Sequence, residues 1–149
     1  MEYHFAIDED RTAVVYNGVD SEQFDAEADK GTLDGWAPRE GTVIGWVGRL
    51  SEQKGLSYLL EAAKSIRKTH PECTYVFVGE GPMKETLTQI CTEYGLENEI
   101  EFTGPRSDVP AILKTFDLFV LPSRYESFPF VLLEAMAASK AIVSTDVDG

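Results

Sequence analysis

Residues 42–81, TVIGWVGRLSEQKGLSYLLEAAKSIRKTHPECTYVFVGEG, hold the pattern that decides the fold class. The two ends of this stretch, 42–50 and 74–81, are short apolar runs rich in Val, Ile and aromatic residues, which is typical of buried strands. Between them, apolar side chains recur with helical spacing at positions 56, 59, 60, 63 and 66, and a proline follows at 71. The stretch therefore predicts two parallel strands joined by a helix.

The same alternation continues to the end of the chain. Pro82 and Gly95 mark the start and end of a second helix, and Ser107 or Asp108 is the predicted cap of a third. We predict helices over 82–95, 107–116 and 130–139 and strands over 100–104, 117–123 and 141–147. The predicted fold class is α/β: a doubly wound, Rossmann-like parallel sheet with helices on both faces. We expect it to be incomplete at the C-terminus, because such a domain usually continues with another strand and helix.

The first forty residues differ from the rest. TAVVYNGVD, residues 12–20, predicts a short strand at 13–16 that runs into an Asn-Gly turn. Residues 21–41 combine turn residues and acids with no sustained period, and we interpret them as a surface connector in which Trp36 covers an edge. We therefore divide the chain into residues 1–40 and a domain over residues 41–149.

Charge and composition exclude several classes of function. The chain has 149 residues and a formal net charge of −13, from 13 Lys and Arg against 26 Asp and Glu. Eleven of the acids but only three of the bases lie in residues 1–40. Such an excess argues against binding to nucleic acid or to an anionic membrane. A bound phosphate would need specific local donors.

No segment predicts membrane insertion or export. The longest mostly apolar stretch, residues 128–143, is interrupted by Glu134 and Lys140, and the N-terminus lacks the basic and apolar regions of a secretory signal. Cys73 and Cys91 lack CxxC spacing, and we interpret them as reduced thiols of a cytoplasmic protein. His4 and His70 have no clustered partners, so no metal site is expected.

Sites in doubly wound sheets lie at the carboxyl ends of the strands. The predicted strands end in GRLSEQKG (48–55), GEGP (79–82), TGPR (103–106) and PSRYESFP (122–129). All four loops are rich in Gly or Pro, and three of them carry Arg or Lys. These loops are the candidate site.

ESFPFVLLE, residues 126–134, places a glutamate at each end of an apolar segment. Pro129 favours the first turn of a helix, so Glu126 is predicted in the preceding loop and Glu134 inside the helix. The early amides of that helix, those of residues 130, 131 and 132, form an anion site. A carboxylate beside that site would repel phosphate and suits hydroxyl groups instead. We predict a ligand that combines a diphosphate with polyols.

Four segments carry a resemblance to a known family: VGRLSEQKG, VGEGP, EFTGPR and FVLPSRYESFPFVLLEAMAASKAIVSTDVDG. In this order and spacing they resemble the donor-binding domain of the family 4 (group 1) retaining glycosyltransferases. VVYNGVDSEQF resembles that family's interdomain crossing. The resemblance implies two facing Rossmann-like domains. Residues 1–40 would then be a remnant of the crossing with an acidic connector, and residues 41–149 part of the domain that binds the nucleotide-sugar.

The resemblance also implies site residues. Gly48, Arg49 and Lys54 belong to the donor site, with Arg49 and Lys54 as the pair that holds the diphosphate. Glu126 contacts the donor sugar, and Glu134 takes the ribose hydroxyls. The main chain between these glutamates, at Phe128, Phe130 and Val131, contacts the sugar hydroxyls and the phosphate. A looser match places Arg106 against the nucleotide base.

The implied chemistry needs no metal or other cofactor. Breaking a glycosyl–phosphate bond develops negative charge on the diphosphate, and two fixed cations with a helix N-terminus stabilise that charge. In retaining members a front-face mechanism without a protein nucleophile is usually proposed. The catalytic set is therefore Glu126, Arg49 and Lys54, with Glu126 assigned to positioning and charge stabilisation.

Three positions depart from the family pattern. Pro129 and Ser139 stand where glycine is frequent, and DVDG replaces a frequent Asp-Val-Gly-Gly. Proline has no amide hydrogen to donate, so its neighbours would have to supply the donors at the helix start.

The sequence thus predicts the donor domain of a retaining glycosyltransferase that is inactive by itself. Two alternatives stay open: a nucleotide-binding or interaction module without catalysis, and an epimerase or phosphorylase of similar architecture. The predicted partners are a nucleotide-sugar donor and an acceptor of unidentified class. We also expect self-association through a bare sheet edge, or marginal stability, because an absent strand and helix would leave apolar surface uncovered.

Overall fold

The computed structural model describes residues 11–25 and 41–147. Its centre is a parallel sheet of five strands in the order β3-β2-β1-β4-β5. The strands are β1 Val43–Val47, β2 Thr74–Val78, β3 Ile100–Gly104, β4 Leu118–Leu121 and β5 Ala141–Ser144. The helices are α1 Leu56–Ile66, α2 Lys84–Tyr94, α3 Val109–Thr115 and α4 Phe130–Ala137, with short 3-10 helices at Ser21–Phe24 and Glu52–Lys54. The predicted α/β fold class is confirmed.

Each face of the sheet carries its own apolar cluster. Trp46 and Tyr75 pack with α1 and α2 on one face, whereas Val76 and Phe119 pack with α3 and α4 on the other. Successive residues of a strand point to opposite faces. A strand covered on both sides therefore needs apolar residues throughout, and all five residues of β2 are buried.

The predicted strand at 13–16 is wrong. Residues 12–20 form neither helix nor strand, and Val14, Val15 and Tyr16 are exposed. Apolar β-type residues form a strand only where a neighbouring strand accepts their backbone hydrogen bonds, and none of the described strands pairs with this segment.

The start of the predicted surface connector contains one buried side chain. Residues Ser21–Phe24 form a 3-10 helix, and the Asp20 carboxylate accepts a hydrogen bond from the amide of Glu22 at 3.1 Å. Phe24 is only 4% exposed and belongs to the cluster under α3 and α4. A single apolar residue among acids has no period, so the pattern gave no sign of its burial. Trp36 lies outside the described residues.

Ser139 has a backbone conformation that favours glycine. It follows the end of α4 with a φ of 57°, the one positive φ of a non-glycine residue in the described part of the chain. The left-handed conformation costs an L-residue roughly 1–2 kcal/mol. We expect Ser139→Gly to stabilise the chain by about 1 kcal/mol, because glycine adopts this conformation without that cost.

Chemical unfolding of the two proteins would measure this gain. Ser144→Gly is the matched control, since Ser144 lies in the extended β5 strand and glycine there should destabilise. Equal effects of the two substitutions would show that the backbone of Ser139 is not strained.

The β5 edge of the sheet is exposed, with Val143 more than half accessible. Such an edge is compatible with the predicted self-association, which stays a prediction. No described helix is long and apolar enough to cross a membrane. Cys73 and Cys91 are free thiols, and burial raises the pKa of Cys91 to about 11.

Candidate functional site

The candidate site lies at the point between β1 and β4 where the order of the strands in the sheet reverses. The chain leaves β1 toward β2 on one side and leaves β4 toward β5 on the other, so a crevice opens between the carboxyl ends of β1 and β4. Two of the loops singled out in the sequence, residues 48–55 and 122–129, line this crevice.

Backbone contacts hold these two loops together. Gly55 has a φ of 66°, and a Cβ atom there would lie 2.0 Å from the carbonyl oxygen of Pro122. The amide of Arg124 donates to the Gln53 carbonyl at 2.8 Å, and the Gln53 side chain donates to the Tyr125 carbonyl at 2.9 Å. An exposed ion pair also joins Arg124 to Glu52 across the two loops.

Lys54 and Glu126 are brought together by these contacts. The Lys54 Nζ atom donates to Glu126 Oε1 at 2.6 Å, with the side chains 19% and 11% exposed. The Ser123 hydroxyl donates to the same oxygen at 2.6 Å. A cation and a carboxylate separated by 72 residues thus meet in one crevice. A charge pair that is mostly shielded from water interacts more strongly than one on the surface.

Arg49 lies on the other side of the β1 exit. It is exposed and lines a cavity of about 780 Å³ between the exits of β1 and β2. Among the described residues, no hydrogen bond or ion pair joins Arg49 to Lys54 or Glu126. The residues that line the cavity come from three loops or helix starts: Gly48, Arg49, Glu80, Gly81, Pro82 and Lys84.

Sequence reasoning missed Lys84 as a neighbour of Arg49. Its ammonium group lies 4.0 Å from the centre of the Phe102 ring. Partial burial lowers the pKa of Lys84, as expected for a cation withdrawn from water. Its position two residues after the GEGP loop was the available signal, because the start of the helix after β2 also lies at the carboxyl edge.

Helix α4 begins at Phe130, with Pro129 in the cap position. The first amides of a helix have no partner within the helix. The Leu132 amide already donates to the Pro129 carbonyl at 3.1 Å, and its predicted role in an anion site stays a prediction. The amides of Phe130 and Val131 remain as candidates. The Phe128 ring is partly exposed, with its centre 6.0 Å from that of the Tyr16 ring.

Glu126 lies in the loop before α4 and Glu134 inside the helix, as predicted. The Glu134 carboxylate is partly buried, and no hydrogen bond or ion pair holds it among the described residues. Burial raises the pKa of Glu134, because desolvation disfavours its charged form. A ligand that donates hydrogen bonds would offset this cost.

Arg106 pairs with Asp108. Its Nε atom donates to Asp108 Oδ1 at 2.8 Å, and its Nη2 atom donates to Oδ2 at 2.6 Å. Asp108 occupies the predicted cap position of α3, but its carboxylate makes no capping bond. The Arg106 guanidinium lowers the pKa of Asp108. The looser assignment of Arg106 to a nucleotide base stays a prediction.

The described residues contain no group of three His, Cys, Asp or Glu side chains that could hold a metal ion. The predicted lack of a metal or other cofactor stays a prediction.

Comparison with known proteins gives one consistent family. The profile of the family described as glycosyl transferases group 1 matches residues 36–149. An Escherichia coli UDP-Gal:alpha-D-GlcNAc-diphosphoundecaprenol alpha-1,3-galactosyltransferase is 35% identical over 149 residues, which cover 96% of this chain and 38% of that protein.

Two solved structures extend the match. The C-terminal domain of a glycosyl transferase group 1 family protein (LpcC) from Francisella tularensis is 31% identical, with a TM-score of 0.71 over 85% of this chain and 70% of that one. Anabaena HepE in complex with UDP and glucose is 30% identical, with a TM-score of 0.79 over 92% of this chain and 39% of that one. The chain thus spans about two fifths of the length of the Escherichia coli relative and of HepE.

Proposed function

The chain belongs to the family of glycosyl transferases group 1, and from that premise we propose that it binds the nucleotide-sugar donor of a retaining glycosyltransferase. The observation that carries the proposal is the meeting of Lys54 and Glu126 at 2.6 Å in the crevice between β1 and β4. This crevice is where doubly wound sheets bind nucleotides.

The diphosphate of the nucleotide-sugar would be held by nearby cations and amides alone. A net charge of −13 gives no long-range attraction for a polyanion. Lys54, Arg49 and the first amides of α4 are the groups that supply positive potential at the strand ends. As the bond between sugar and phosphate breaks, these groups stabilise the negative charge that develops on the leaving nucleoside diphosphate.

Glu126 would receive the sugar. Its Oε1 atom already accepts hydrogen bonds from Lys54 and Ser123, which suits a carboxylate that positions a ligand more than one that attacks it. We therefore assign Glu126 to contacts with the sugar hydroxyls and to charge stabilisation. Transfer with retention would then proceed on the front face, with no bond between sugar and protein.

Titration calorimetry of the chain with UDP, GDP and ADP tests the donor-site proposal. We use UDP as the first probe because HepE was solved with UDP and glucose. Binding of at least one nucleoside diphosphate, weakened by Lys54→Ala but not by Lys68→Ala at an exposed helix end, is the expected result. Failure of all three nucleotides to bind would contradict it.

Catalysis requires a separate experiment on the longest natural protein that contains the chain. Transfer of sugar to an acceptor with the donor's anomeric configuration kept in the product, read by NMR, would support a retaining transferase. Nucleotide binding without transfer would favour the alternative of a binding module. Interconversion of free nucleotide-sugars would favour an epimerase.

Glu134 gives a prediction about the ribose. We expect Glu134→Ala to weaken UDP by about tenfold and deoxy-UDP by no more than about twofold, because only the ribose offers a pair of hydroxyls to a carboxylate. Calorimetry with both nucleotides measures the ratio.

Glu134→Gln is the variant that removes the charge of Glu134 and keeps the size of the side chain. Its neutral amide carries no cost of burying a charge, so it should raise the stability of the free chain near neutral pH. The sign follows from the raised pKa of Glu134: ionisation costs stability as pH rises through that pKa. Equal losses for UDP and deoxy-UDP would contradict the ribose assignment.

A further inference from the structure

We infer that Ser123 is a positioning residue that fixes the carboxylate of Glu126. This inference rests on the proposed function for what Glu126 contacts, and on the contacts of Ser123 for how Glu126 is held. The family comparison and the sequence motifs assign no role to this serine.

The Ser123 side chain is buried, and its hydroxyl hydrogen is used in a hydrogen bond to Glu126. The residue is 1% exposed, and its hydroxyl donates to Glu126 Oε1 at 2.6 Å. Buried hydroxyls need a hydrogen-bond partner, and a carboxylate is a strong one. The position of the Ser123 oxygen therefore constrains where the Glu126 carboxylate can lie.

Ser123 is itself held from the end of β5. The Thr145 hydroxyl donates to the Ser123 carbonyl at 2.5 Å, and the Thr145 amide donates to the Leu121 carbonyl at 3.1 Å. The backbone that carries Ser123 is thus tied to the neighbouring strand. This arrangement gives the hydroxyl a rigid base, as a positioning group requires.

The two donors to Glu126 come from different elements. Lys54 approaches Oε1 from the loop after β1, and Ser123 approaches it from the loop after β4. Oε2 has no hydrogen-bond partner among the described residues and is not one of the atoms sealed from solvent. Fixing one oxygen through two donors leaves the other free for a ligand hydroxyl.

Lys54 and Ser123, the two hydrogen-bond donors to Glu126, differ in how strongly a diphosphate attracts them. Lys54 is a cation that phosphate can attract, whereas the neutral hydroxyl of Ser123 has no such competing attraction. When the nucleotide-sugar binds and Lys54 turns toward its phosphate, Ser123 keeps Glu126 in place. Removal of the hydroxyl should therefore disturb the contact with the sugar more than the contact with the nucleotide.

A double-mutant cycle in urea unfolding tests the hydrogen bond without any ligand. Ser123→Ala should raise the unfolding equilibrium constant about tenfold in the natural chain and no more than about twofold when Glu126→Ala is already present. Ser127, an exposed serine of the same loop, provides the control. Ser127→Ala should change the unfolding equilibrium constant by no more than about twofold, both in the natural chain and in the Glu126→Ala background. An equal effect of Ser123→Ala in both backgrounds, or no effect in either, would overturn the inference.

Ser123→Cys is the second variant. Its thiol is a weaker hydrogen-bond donor than the hydroxyl, and its sulfur is larger than oxygen, so it should also destabilise the chain, and this effect should shrink to within about twofold in the Glu126→Ala background. A cysteine variant whose effect persists in that background would overturn the inference as well.

Titration with UDP and UDP-glucose tests the consequence for the ligand. Ser123→Cys should weaken UDP-glucose about three- to tenfold and leave UDP within about twofold. Equal weakening of both would show that Ser123 supports the whole loop and does not position Glu126. If the natural chain binds neither ligand, the proposed function fails, and the unfolding cycle still decides whether Ser123 holds Glu126.

Discussion

Lys54→Ala is expected to weaken UDP binding to the chain by about ten- to a hundredfold. A hydrogen bond to a charged group is worth roughly 1.5–3 kcal/mol, and two effects add in this variant. The diphosphate loses its cation, and the Glu126 carboxylate, only 11% exposed, is left without its ion-pair partner. An unpaired carboxylate would repel phosphate.

Arg49→Ala should give a smaller loss, near the lower end of that range. The Arg49 side chain is exposed, and water screens the interactions of an exposed charge. Calorimetry of both variants with UDP measures the difference. The double variant Lys54→Ala with Glu126→Ala removes the uncompensated carboxylate and should recover part of the affinity.

Lys68→Ala, at an exposed helix end, is the control for a general loss of positive charge and should leave the affinity within about twofold. If the natural chain binds UDP but Arg49→Ala and Lys54→Ala both leave the affinity unchanged, the donor-site assignment is wrong. Thermal unfolding of each variant establishes that any loss of binding is not a loss of folding.

Gly55→Ala is expected to destabilise the chain by about 3 kcal/mol or more. The left-handed φ of 66° costs an alanine roughly 1–2 kcal/mol, and its Cβ atom would lie 2.0 Å from the Pro122 carbonyl oxygen. That oxygen belongs to the backbone and cannot turn away, so the loops after β1 and β4 must separate. We expect the melting temperature to fall by roughly 6–12 °C.

Gly95→Ala is a matched control. Gly95 has the same φ of 66°, but the nearest atom to its Cβ would be Nη1 of Arg67 at 3.6 Å, an ordinary contact. This variant should show only the conformational cost, roughly 1–2 kcal/mol. Equal destabilisation of the two variants would show that the two loops do not touch in solution.

The same pair of variants separates stability from the site. Gly55→Ala moves the loop that carries Glu126 away from Lys54, so UDP binding should weaken even at temperatures where the variant is folded. Gly95→Ala lies at the far end of α2 and should bind UDP as the natural chain does.

The sequence by itself determined the order and type of the elements from β1 to β5. Short apolar runs bounded by glycine or proline favour strands buried on both faces, and the helical spacing between them favours parallel pairing of those strands. The predicted β3 coincides with the observed Ile100–Gly104. Glu126 and Glu134 were placed in a loop and a helix because Pro129 restricts where α4 can begin.

The N-terminal segment shows where local pattern fails. Val14, Val15 and Tyr16 have strand propensity but no partner strand among the described elements, whereas Phe24 has no pattern around it and is buried. Both outcomes depend on what the rest of the chain places nearby. Propensity cannot supply that information.

Only the tertiary structure decided which of the candidate site residues meet. It joined Lys54 and Ser123 to one oxygen of Glu126, set Arg49 beside Lys84 on the other side of β1, and tied Arg106 to Asp108. The sequence could name the loops, because the carboxyl ends of parallel strands share one edge. It could not name the pairs, because a contact between residues 72 positions apart depends on the strand order, and strand order is settled by packing across the whole sheet.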